Sequence, residues 1–154
     1  MIVVEDLAHF TLIKTIRPGM KIIMAGDKFR VGKYLEKSTQ RCIGVIDEDS
    51  DHPYHQPRLI RSLKPIEQNH DLKLYASKNF KLISIGPIEF EDWLLMLCRI
   101  ASLDLREKPF ELPNSHKELK KVINLKKQNV EVLLSRLIEI KSPGLIHLKS
   151  ILNP

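Results

Sequence analysis

The chain of 154 residues has little cysteine, glycine or aromatic side chain: two Cys, six Gly, and 6% Phe, Trp and Tyr together. Two cysteines, Cys42 and Cys98, exclude the disulfide framework of a small secreted domain. Neither has the nearby Cys or His that a zinc site needs, so both read as small buried hydrophobes. No apolar run approaches the roughly 20 residues of a membrane-spanning helix. The N-terminus lacks a basic segment followed by an apolar stretch and a small-residue cleavage site, and the expectation is a cytoplasmic protein with no membrane partner. There is no internal repeat and no low-complexity tract, which excludes solenoids and biased linkers. What remains is ordinary globular material, 43% hydrophobic and 29% charged, of a length that supports a real core.

The net charge of +6 is unevenly placed: eleven Lys and Arg face six Asp and Glu from Leu94 to Pro154, leaving about +1 for the first 93 residues. A polyanion partner fits such a balance, and so does a solvated lysine-rich surface.

The most informative stretch is Cys42 to Asp51, Cys-Ile-Gly-Val-Ile-Asp-Glu-Asp-Ser-Asp. An apolar β-branched run with polar bounds predicts a buried strand that ends in carboxylates. Continued extended spacing would place Asp47, Asp49 and Asp51 on one side, where like charge calls for a cation. Hard divalent ions suit such oxygens, whereas a solvated acidic turn is the plain alternative.

Around it the chain alternates. Met1 to Val4 predicts a strand, and Asp6 caps a helix to about Ile16 with Leu7, Phe10 and Ile13 inward. Met20 to Ala25 predicts a second strand. Asp27 caps a helix with Val31, Tyr34 and Leu35 toward a sheet. Strand and helix in alternation predict βαβ units and a parallel sheet. From Asp51 to Asn69 three prolines and the basic group Arg58, Arg61 and Lys64 predict a loop, with a turn or two of helix near Arg58 to Leu63. Leu72 to Ala76 is a short strand or a helix end, and Phe80 to Ile85 a clearer strand. After Pro87 the pattern turns helical: a largely buried helix through Phe90, Trp93, Leu94, Leu97 and Cys98, with Leu95, Met96 and Ile100 filling its other side. A capping box at Ser115 to Glu118 opens the next helix. A stripe of Val130, Leu133, Leu134, Leu137 and Ile138 follows, then a last helix after Ser142-Pro143.

In a parallel sheet, whatever follows each strand gathers at one edge, where ligands bind. Glu5 follows the first strand, Asp27 and Lys28 the second, Asp47 and Asp49 the third. Glu89, Glu91 and Asp92 come shortly after Phe80 to Ile85. Acid from four separate stretches thus converges on one rim.

Glu5 after the first strand, Asp47-x-Asp49 after the third, Gly26-Asp27-Lys28 and the run Ile88 to Leu95 together resemble the Toprim domain. The likeness is to the Toprim part of the overcoming-lysogenisation-defect nucleases and covers roughly residues 1 to 100. It implies an α/β, Rossmann-like Toprim domain over 1–100, with a helical extension over 101–154 packed on it. It further implies Mg²⁺ or Mn²⁺ at Asp47 and Asp49, with Glu5 as a ligand or general acid/base and Glu91 at a second metal. Lys28 would contact a phosphate, and the substrate would be DNA or RNA, with Arg58, Arg61 and Lys64 available to track its backbone. The family glutamate is usually followed by glycine, here by Asp6. A topoisomerase would need a tyrosine nucleophile in a further domain, and a primase zinc-binding parts. The alternative expectation is a non-catalytic Toprim-like binding module, with the helical extension as a homodimer or partner surface.

Overall fold

The computed structural model describes residues 1–153. Its centre is a six-stranded sheet built from β1 (Ile2–Val4), β2 (Ile22–Met24), β3 (Cys42–Asp47), β4 (Glu67–Asn69), β5 (Leu72–Ala76) and β6 (Phe80–Ile85), in the order β2-β1-β3-β6-β5-β4. Strands β2, β1, β3 and β6 are parallel, with Val4 opposite Val45 and Asp47 opposite Ile85. At the far edge β5 and β4 run antiparallel, a hairpin closed by His70 and Asp71, both at positive φ. Positive φ at both central residues is what a type I′ two-residue hairpin turn requires.

Seven helices cover the sheet: α1 (Leu7–Ile16), α2 (Lys28–Lys37), α3 (Arg58–Arg61), α4 (Phe90–Ile100), α5 (His116–Val122), α6 (Lys127–Glu139) and α7 (Pro143–Ile151). Alternation along the strands divides the core in two. Ile2 and Val4, Ile43 and Val45, and Ile83 and Ile85 face α1, α4, α5, α6 and α7. Val3, Cys42, Ile46 and Leu82 face α2 and α3. Gly44 lets α2 close on β3, since a Cβ there would lie 2.8 Å from both Leu35 and Leu82. The result is an α/β, Rossmann-like fold with helices on both faces.

The segment after Ile100 adds Leu105, Phe110, Leu112, Leu119, Val130, Leu133, Leu134, Leu137, Leu145 and Leu148 to the same cluster that holds Leu12, Phe90 and Trp93. No helix among the described residues is long and apolar enough to cross a membrane.

Several local expectations need correction. β4 lies inside the expected loop; it is wholly exposed and reads Glu-Gln-Asn, so no apolar period announces it. On α1 the buried side chains are Ala8, His9, Thr11, Leu12, Ile13 and Ile16, with Leu7 and Phe10 only half-buried, because α6 covers the flank beyond the sheet. Ile100 is 63% exposed and Ile138 38% exposed, each lying at the outer margin of its helix. Ser115 stands at the start of α5, but its side chain makes no capping hydrogen bond. The capping box forms instead at α4, where Glu89 and Asp92 each receive the other's backbone N–H.

Candidate metal centre

Strand order reverses between β1 and β3: from β1 the chain crosses to β2 on one side, and from β2 it returns to β3 on the other. In open α/β sheets the crevice beyond the carboxyl ends of two such strands is where ligands bind. Glu5 leaves β1 and Asp47 ends β3, so the switch point is flanked by two carboxylates. They are locked together: the Asp47 backbone N–H donates to Glu5 Oε2 at 3.0 Å. The register of β1 and β3, with Val4 beside Val45, sets that approach.

A third donor comes from α1. Asp6 caps the helix by accepting the His9 N–H at 3.1 Å, and the same oxygen lies 2.8 Å from His9 Nδ1. The imidazole is fully buried, and its Nε2 lies 3.1 Å from Asp47 Oδ1. The approach is out of line for a hydrogen bond, so Nε2 has no well-directed partner. Glu5, His9 and Asp47 each present one ligand atom, all within 4.8 Å of one another.

Asp47 is 8% exposed and is held from a second side, where the Phe90 N–H at the start of α4 donates to Oδ1 at 2.8 Å. The free amides of a helix start favour a carboxylate there. The rim then continues to Glu89, Glu91 and His116, a second group of ligand atoms within 4.8 Å of one another. His116 Nε2 sits 2.8 Å from Glu89 Oε2, and Lys120 pairs with Oε1.

Electrostatics distinguish these acids. Burial pushes the Glu5 carboxyl up to about 7, with His9 and the Asp47 amide opposing it and the Asp47 charge adding to it. Burial likewise pushes Glu91 up to about 7, reinforced by Asp47, Glu89 and Asp6. Burial works against a charged His9, yet Asp47 and then Asp6 overcome it and hold its pKa well above the ordinary imidazole value. Glu89 is lowered: burial opposes this, but hydrogen bonds from Lys120 and His116 prevail. Two carboxyls pushed up to about 7 are suited to proton transfer.

Of the residues singled out in the sequence, Glu5 and Asp47 meet, and Glu91 lies on the adjoining part of the rim. Asp49 does not stack with Asp47 along an extended strand. The strand ends at Asp47, Asp49 turns to φ 47°, and its N–H donates to Ile88 O at 2.7 Å. The Asp49 carboxylate pairs with Lys28, whose Nζ also donates to Asp47 O at 3.2 Å. Lys28 is 5% exposed, so its ammonium is committed to the β3 terminus and does not project toward solvent as a phosphate contact would. Asp51 is exposed in a turn beside His52, 3.1 Å away. Asp27 caps α2 through the Arg30 N–H, and Asp92 serves the α4 cap, so neither reaches the centre. Arg58 and Arg61 lie exposed on α3, with Lys64 exposed just beyond it, on the face of the sheet opposite α1 and α4.

His9 was not legible as a site residue. The signal for it is the pair Asp6-x-x-His9 directly after a strand-end glutamate, which places a carboxylate and an imidazole on the first turn of the helix leaving that strand. Comparison of the chain with protein-family models, with curated proteins and with solved structures finds no match.

Proposed function

We propose that the chain carries out divalent-cation-dependent phosphodiester chemistry on DNA or RNA, as a Toprim-type nuclease of the cytoplasm, with Mg²⁺ or Mn²⁺ held by Glu5 and Asp47. The observation that carries this reading is the meeting of the two carboxylates at the switch point between β1 and β3. The donor set fits the ion: two carboxylates within ligand distance of one site are what a hard dication takes from a protein. A bound dication supplies neutralisation of charge on a phosphoryl oxygen and lowers the pKa of water.

The chain's own residues would do the rest. The amides of Phe90 and Asp47 hold the Asp47 and Glu5 carboxylates in place. Where Glu5 is not itself bound to the ion, its carboxyl, pushed up to about 7 by burial, is suited to accept a proton from the attacking water and to return it. Lys28 pins Asp49 and the Asp47 carbonyl, which fixes the start of the loop after β3. Arg58, Arg61 and Lys64 would meet nucleic-acid backbone only where the substrate wraps around the sheet edge, so their removal should affect binding more than cleavage.

The test is cleavage of single- and double-stranded DNA and RNA with Mg²⁺ or Mn²⁺ by the native chain, Glu5→Gln and Asp47→Asn. Loss of cleavage by about 10²-fold or more in both variants is expected. Equal cleavage in all three would reject the site.

A second reading has its own observation. Asp49 is paired with Lys28 and Asp47 with His9, so most of the rim's charge is compensated within the chain. That suits a non-catalytic module binding nucleic acid or a protein partner, or a homodimer through the helices after residue 100. Retained nucleic-acid binding with no cleavage under any metal would favour it.

A further inference from the structure

We propose that His9 is a direct metal ligand through Nε2, making the centre a mixed nitrogen and oxygen site that selects a first-row transition dication over Mg²⁺. The inference rests on the reading that Glu5 and Asp47 hold a divalent ion, and adds the donor that decides which ion.

Three observations lead to it. The His9 imidazole is fully buried on the first turn of α1, yet Nε2 has no aligned hydrogen-bond partner. Its nearest polar neighbour is Asp47 Oδ1 at 3.1 Å, off the line a hydrogen bond needs, so a fully buried ring nitrogen is left poorly satisfied beside a carboxylate. Its other nitrogen is engaged by a carboxylate, with Nδ1 2.8 Å from Asp6 Oδ1. A metal-ligating histidine nearly always donates its remote N–H to such a group, which fixes the tautomer and leaves the opposite nitrogen for the metal. Finally, Nε2 lies 3.1 Å from Asp47 Oδ1, and His9, Glu5 and Asp47 each offer one ligand atom within 4.8 Å of the other two, a spacing that lets three donors surround one ion. A dication there takes the place of the proton on Nε2.

The ligand set then dictates the preference. Mg²⁺ favours an all-oxygen octahedron and dehydrates reluctantly, whereas an imidazole nitrogen adds affinity for the first-row transition dications, least for Mn²⁺ and more from Fe²⁺ onward. Asp6 becomes a positioning residue that holds the ring without touching the ion. The plain alternative is that Asp6, His9 and Asp47 form only an ion-pair clamp between α1 and β3.

The experiment is pulsed EPR of Mn²⁺ added to the full chain, with ¹⁴N coupling as readout, and calorimetric Mn²⁺ and Mg²⁺ affinities measured alongside. The native chain should show a directly bound imidazole nitrogen and prefer Mn²⁺. His9→Gln should lose the ¹⁴N coupling and most of that preference, while His116→Gln keeps both. Asp6→Asn, which retains a good helix cap, should keep the coupling and weaken Mn²⁺ binding by about 10-fold to 100-fold. Mn²⁺ bound by the native chain without ¹⁴N coupling overturns the role of His9 and leaves the carboxylate site standing. So does coupling that disappears with His116→Gln and survives His9→Gln. Failure of the native chain to bind either ion removes the underlying site as well. Because native coupling that persists in His116→Gln excludes the other histidine of the rim, the proposal stays testable even where His9→Gln folds poorly.

Discussion

Glu5 and Glu91 are buried acids whose pKa values rise from 4.5 to about 7 because burial disfavours their charge. Each is protonated in the folded chain across a range where the unfolded chain has already lost the proton. The folded state therefore binds more protons between roughly pH 4.5 and 7, and stability falls as pH rises through that window. His9 acts in the same direction: the stabilisation it gains as a charged partner of Asp47 and Asp6 is complete below its ordinary pKa and lost as pH rises through its higher folded value. Asp6 and Glu89, with lowered values, are destabilised only as pH falls through theirs. The metal-free chain should therefore melt at a higher temperature near pH 5 than near pH 8. Glu91→Gln should flatten that slope and raise neutral-pH stability by about 1–3 kcal/mol, seen in denaturation curves at the two pH values. A saturating divalent ion should reverse the trend by stabilising the chain at neutral pH.

At the scale of elements, the contact between β3 and α2 is set by Gly44. A methyl group there would stand 2.8 Å from Leu35 and Leu82 and 2.9 Å from Val31, all three side chains fully or nearly fully buried. Gly44→Ala should cost about 1–3 kcal/mol in chemical denaturation and, because Asp47 lies three residues on, weaken metal binding as well. The parallel strands, the helices begun by Asp6 and Asp27, and the buried strand ending at Asp47 were legible because periodicity and capping are local properties. The β4–β5 hairpin was not, since an exposed Glu-Gln-Asn strand has no apolar period and its turn is His-Asp without glycine. In the site, Glu5 and Asp47 were legible from their places at strand ends. The fate of Asp49 was not, because its direction depends on a backbone bond to Ile88 and a lysine nineteen residues before Asp47 in the chain. His9 escaped for the same reason: its value comes from what lies across the fold, and the helix pattern around it marks only an inward position.

For the molecule as a whole, one apolar cluster joins α1 and α4 to the helices of residues 101–153. Leu133→Ala on α6, fully buried there, should cost about 2–5 kcal/mol and shift the entire unfolding transition. Trp93, the only tryptophan, is a convenient reporter: it is fully buried and its Nε1–H donates to His70 O at 2.8 Å. Its fluorescence should change at the same denaturant concentration as the helical signal, whereas two separated transitions would show the helices folding apart from the sheet. That unity matters for the rim, because Glu5 follows β1 while His9, Asp47 and Glu91 lie on α1, β3 and α4, and their spacing is only as firm as the packing among those elements. The most direct measurement of the central claim is calorimetric titration of the full chain with Mn²⁺ and Mg²⁺, repeated on Glu5→Gln and Asp47→Asn with folding checked by Trp93 fluorescence. One ion bound per native chain, with binding lost in both folded variants, is the predicted result. Native-like binding by both variants, or no binding by the native chain, would contradict it.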